Sequence, residues 1–146
     1  MNVQIKNRYL AAAAAVLALT AAAPTAYAAL DTPPAQGETY TETRLLFGTV
    51  DPDGGPAVTD KQFRTFLDKH VTPHFPRGLT VQDGRGQYRD RNGRIERERS
   101  YELTLLIPSS EAGAHETDIQ HIRREYRRLY KQESVLRADD TARVDY

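Results

Sequence analysis

The segment Ser100-Tyr101-Glu102-Leu103-Thr104-Leu105-Leu106-Ile107 decides the fold class. Tyr101, Leu103, Leu105 and Ile107 fall on one side of an extended chain, against Glu102, Thr104 and Leu106 on the other. That period of two predicts a strand with one face on a core, and Pro108 ends it. Upstream, residues 41–50 are strand formers, and adjacent Leu45, Leu46 and Phe47 predict a central strand with apolar contacts on both sides. Asp51-Pro52-Asp53-Gly54-Gly55-Pro56 reads as a turn.

Thr59-Asp60-Lys61-Gln62 has the form of a capping box, and Val58 and Phe63 occupy the two positions of a hydrophobic staple. Phe63, Phe66, Leu67 and Val71 then make an apolar helical stripe, which should stop near Val71 because Thr72 precedes Pro73. Leu79–Val81 opens a second strand. Gly84 and Gly86 suggest a bulge or a close backbone approach, and Asn92-Gly93 is a hairpin signal. Ile119, Ile122, Tyr126 and Leu129 recur on one face of a second helix. Residues 134–137 and 142–146 read as short strand segments. The order β-α-β-β-α-β is a split βαβ unit. It predicts an α+β, ferredoxin-like domain: a four-stranded antiparallel sheet with two helices on one face and the first and third strands central.

The chain has 146 residues, 20 basic and 20 acidic, with no cysteine. Its length suits one domain, and its zero formal charge makes no case for nucleic acid. Without cysteine there is no disulfide, thiolate metal site, cysteine nucleophile or lipoprotein anchor. Lys6 and Arg8, the uncharged run 9–23, Pro24 and then Ala26-Tyr27-Ala28 follow the order of a secretory signal. The run is shorter than the ~20 residues that cross a bilayer. Residues 1–28 are therefore expected to be a signal cleaved after Ala28, which leaves no membrane span in the mature chain and makes it periplasmic or secreted. Residues 29–40, with Pro33-Pro34, read as a disordered lead-in, and 41–146 as the domain.

Several stretches resemble one bacterial family: Glu42-Thr43-Arg44-Leu45-Leu46-Phe47-Gly48, the run Val71-Thr72-Pro73-His74-Phe75-Pro76-Arg77-Gly78-Leu79-Thr80-Val81, Gly86-Gln87-Tyr88, and Gln132-Glu133-Ser134-Val135. Together they are similar to the family catalogued as Domain of Unknown Function 3574, from about Glu42 to the C-terminus. Tyr88 stands where relatives often carry tryptophan, and the lipoprotein cysteine of many relatives is absent. The family is uncharacterised, so the resemblance implies no substrate, cofactor or catalytic residue.

The residues offer few chemical signals of their own. His70 and His74 have the spacing of a helical metal pair, but Pro73 intervenes and no carboxylate is suitably placed beside them, so they read as surface histidines. His115 and His121 fall on different sides of their helix. Asp51–Gly55 lacks the later ligands of a calcium loop and reads as a plain turn. The hairpin 85–99 holds six arginines against Asp90, Glu96 and Glu98, and interleaved acids favour a solvated ribbon. No cofactor or metal is implied.

The best site candidate is Gln87, Tyr88, Gln132 and Glu133, whose amide, phenol and carboxylate groups could orient a small ligand. The competing reading has them satisfying backbone groups at helix and strand ends. The open sheet face should show Leu46, Val50 and Leu106, a candidate homodimer surface. Three functions follow. The favoured one is a non-catalytic module that binds a small molecule or a protein. The alternatives are a small enzyme of the dimeric α+β barrel type, using Tyr88 and Glu133 in a pocket between helices and sheet, and a structural subunit of an envelope assembly.

Overall fold

The computed structural model describes residues 37–89 and 93–146. The expected signal, most of the lead-in and Asn92 of the hairpin signal lie outside the described residues. The elements run β1 (Glu38–Gly48), α1 (Asp60–Phe66) continuing into a π-helical turn (Leu67–Val71), β2 (Thr80–Arg89), β3 (Ile95–Pro108), α2 (Glu116–Tyr130) and β4 (Leu136–Val144). All pairings are antiparallel, in the order β2-β3-β1-β4. The fold is the expected α+β one, with β1 and β3 central.

Odd-numbered Leu45, Phe47, Tyr101, Leu103, Leu105 and Ile107 are buried with Phe63, Phe66, Ile119, Ile122 and Tyr126, so both helices cover the same sheet face. Phe47 sits among the rings, 4.6 Å from Tyr126 and 5.4 Å from Phe63, both edge to face. Thr59 caps α1: its Oγ1 accepts from Gln62 N, and the Gln62 side chain accepts from Thr59 N. Val58 and Phe63, the expected staple pair, are both buried. Near Val71 the helix widens as Thr72 N donates to Leu67 O at 2.9 Å, five residues back, just before Pro73 interrupts the ladder.

Three expectations change, and the choice left open at Gly84 and Gly86 is decided. β1 begins at Glu38, inside the stretch read as lead-in, because Glu38–Tyr40 pair with Ala142–Val144. Residues 136–144 form one strand, since β1 offers a full-length edge to pair with. Leu129 is 42% exposed, beyond the reach of the sheet. The β2–β3 register runs unbroken from Thr80↔Thr104 to Arg89↔Ile95, so there is no bulge. Gly84 instead marks a close approach: a Cβ there would lie 2.9 Å from Ser100 Oγ.

At the start of α1, the Tyr101 ring stacks on Phe63 at 3.9 Å and its hydroxyl donates to Asp60 Oδ1 at 2.5 Å. Arg99 closes the group, pairing with Asp60 and with Asp83. Burial, then the Asp60 carboxylate, pushes the Tyr101 phenol up to about 12, while the donated hydroxyl holds Asp60 below its usual range. The folded state therefore keeps the Tyr101 proton more tightly than the unfolded chain. Its contribution is complete below about pH 10 and is lost as pH rises toward 12. Urea midpoints should fall across that window, and Tyr101→Phe should make the fall shallower. An equal slope in both proteins would sink the assignment.

Candidate functional site

β1 ends at Gly48, while the β2–β3 ribbon continues past it, because Gly48 pairs with Ser100 and the ribbon pairs on to Arg89↔Ile95. The chain leaving β1 is therefore held by side chains. Tyr126 Oη donates to Gly48 O at 2.8 Å from the helix side. Glu98 Oε2 accepts from Thr49 N at 2.7 Å and Val50 N at 2.9 Å. Val58 N donates to Thr49 O, and Gln132 Nε2 donates to Val50 O at 2.7 Å and Tyr130 O at 3.1 Å. All but the Tyr130 contact, which caps the end of α2, give a backbone group leaving the sheet a partner in place of water.

Gln132 reaches this point because of the residue before it. Lys131 adopts the left-handed conformation (φ 54°), which ends α2 and turns the chain toward β1. Its Nζ lies 3.3 Å from Asp51 Oδ2. Arg123 of α2 fixes the next stretch by donating to Val135 O at 2.9 and 3.0 Å.

These constraints shape a cavity of about 410 Å³. Gln87, Tyr88, Gln132 and Glu133 all line it, with Leu46, Gly48, Val50, Glu98, Ser100 and Leu136 among the others. Leu46, Gly48, Tyr88, Glu98, Ser100 and Leu136 share the strand parity opposite to the core residues. The cavity thus opens on the sheet face away from the helices, which corrects the expected placement of Tyr88 and Glu133 in a pocket between helices and sheet. Behind Gly48 the helix side is filled by the aromatic cluster around Phe47, and the cavity of about 190 Å³ that does lie between α1 and the sheet, beside Phe63, Leu67, Val81 and Tyr101, is lined by none of the four candidates.

The four candidates meet at one cavity but differ in role. Gln87 Oε1 accepts from its cross-strand partner Arg97 at 2.9 Å. The Gln132 amide nitrogen satisfies backbone carbonyls, as the competing reading of these residues held, while its oxygen lies close to Gly48. Tyr88 is 46% exposed. Glu98, treated in the sequence as one acid of a solvated ribbon, is the central residue that sequence reasoning missed. Extending the alternation of 100–107 back to Glu98 would have put it on the same face as Leu46.

On the open face Leu46 is 38% exposed and Leu106 46%, joined by Leu136 at 57% beside Leu46. Val50 lies past the end of β1 and lines the cavity instead of the sheet face. Arg97 and Arg99 of the ribbon engage Gln87, Asp83 and Asp60. The turn after β1 is closed locally: Asp51 Oδ1 accepts from Asp53 N, which is the main reason its carboxyl is held below the usual range.

The histidines need a correction. A carboxylate is placed beside them: Asp118 Oδ1 is 2.9 Å from His74 Nδ1, and its Oδ2 is 3.2 Å from His115 Nδ1. The His121 ring lies 6.2 Å from that of His70 and 5.6 Å from that of His74. Helix α2 packs against the turn after α1, which brings the four together. Among the described residues no group of three or more His, Cys, Asp or Glu side chains is arranged to hold a metal ion. No helix among them is long and apolar enough to cross a membrane.

Residues 42–146 match the model of a family described as a protein of unknown function (DUF3574). No curated protein matches the chain. Two solved structures of a phage SAM lyase are similar. The one in complex with S-methyl-5'-thioadenosine has a TM-score of 0.54 at 18% identity, covering 77% of this chain and 95% of the phage chain. The apo one has a TM-score of 0.51 at 16% identity, covering 80% and 98%. At such identities the likeness is one of fold.

Proposed function

The chain belongs to that family, and we propose that it is an exported, non-catalytic binding module whose small-molecule site is the cavity beside Gly48. One observation carries the reading: Gln87 and Tyr88 from the ribbon and Gln132 and Glu133 from the α2–β4 connection line a single cavity of about 410 Å³. That volume is within the range of ligand pockets, and its wall mixes apolar side chains with a few polar groups. The Gln132 amide oxygen beside Gly48 is an acceptor that orients a ligand but transfers no proton, which supports binding over catalysis. A fragment screen read by amide chemical shifts should concentrate its hits on residues 48–50, 86–88 and 132–136. Hits confined to other surfaces would remove the cavity as the site.

Export rests on the order of charge, apolar run and small-residue site in residues 1–28. N-terminal sequencing of the chain recovered outside the cytoplasm should begin at Ala29. Full-length chain retained in the cytoplasm would refute export.

A second reading is a small enzyme of the dimeric α+β barrel type. Tyr88 would be proton donor or acceptor, and Glu133 its charged neighbour. The likeness to a phage lyase supports it by fold analogy alone. Exposed Leu46, Leu106 and Leu136 on one face support a protein contact as well, either a homodimer or a place in an envelope assembly. Light scattering should give a mass of twice the chain, falling to one chain in Leu46→Glu or Leu106→Glu. A monomeric parent, or a mass unchanged by both substitutions, would rule out the sheet-face dimer.

A further inference from the structure

The cavity has a charge character. Among the described residues that line it there is no lysine, arginine or histidine, in a chain with 20 basic residues and four histidines. The charged side chains on its wall are Glu98 and Glu133.

Glu98 is oriented by its own bonds. Oε2 takes both backbone N–H groups of Thr49 and Val50, so Oε1 is turned over Gly48. A Cβ on Gly48 would lie 2.8 Å from Glu98 Oε1 and 2.9 Å from Gln132 Oε1. The Gln132 amide keeps this orientation, because turning it over would set its oxygen against Val50 O and Tyr130 O. Two acceptor oxygens, one of them anionic, therefore converge where residue 48 has no side chain. An anionic ligand is repelled there, whereas an N–H-bearing cation finds charge-assisted partners. Leu46, Val50, Pro52 and Leu136 supply an apolar wall beside them, and the Tyr88 ring suits a cation as well as a hydrocarbon.

We infer that the cavity takes a small organic cation, an ammonium or amidinium head on a short apolar body, with the head at Glu98 and Gln132 and the body on Leu46, Val50 and Leu136. The inference rests on the reading of this cavity as the ligand site.

The test is a titration of the ¹⁵N-labelled full chain with butylammonium, butyrate and butan-1-ol, following the amides of Thr49, Val50 and Gln132. Butylammonium should shift them saturably, and the other two at least about tenfold more weakly. Glu98→Gln keeps an oxygen for the Thr49 and Val50 N–H groups and should weaken butylammonium about tenfold or more. If butyrate or butanol binds as tightly as butylammonium, or Glu98→Gln binds it unchanged, the cationic preference is wrong and the cavity still stands as a ligand site. If no probe moves these amides, both the cavity reading and this inference fail.

Discussion

The structure depends on how the backbone leaves β1. Gly48, Thr49 and Val50 depart from the sheet while β3 continues, so their polar groups lose the ladder that would have satisfied them. Tyr126 from α2, Glu98 from β3, Val58 ahead of α1 and Gln132 after α2 supply the partners. An unpaired buried backbone group costs about as much as the best of these bonds contributes. The exit from β1 therefore ties together segments spanning most of the domain, and the same bonds build the cavity. Tyr126 serves twice, packing its ring on Phe47 and donating its hydroxyl to the next residue's carbonyl.

Much of the fold was legible because its signals are local. The alternation in 100–107 is written within one strand, and the capping box within one turn. Both survive in the structure, as does the placement of the two most apolar strands at the centre of the sheet. What failed to show was what depends on register between distant segments. Residues 136–144 look broken as a sequence because Asp139, Asp140 and Thr141 interrupt the pattern, yet pairing to β1 makes them one strand. Asp118 lies 44 positions from His74 along the chain, and only the docking of α2 brings them to 2.9 Å.

The site was legible in the same partial way. Gln87, Tyr88, Gln132 and Glu133 stood out as polar groups at element ends, and they share one cavity. The side on which that cavity lies, and the part played by Glu98, needed the pairing of β1 with β3. A carboxylate among arginines looks solvated until the strand beside it stops short. The likeness of architecture to a phage lyase fits the general rule that one fold carries many sites. In this chain aromatic rings pack the helix side of the sheet around Phe47, and the other side is partly apolar and hollowed at one end.

The two outer strands bear on how the molecule behaves at high concentration. β2 places Asp83, Arg85 and Arg89 along one edge, with glycines at 84 and 86, and β4 places Arg137, Asp139, Asp140 and Arg143 along the other. Charges on outer strands oppose the edge-to-edge addition that lengthens sheets into fibrils. If the flat sides pair about a twofold axis as proposed, each pair has no free copy of that surface left with which to grow.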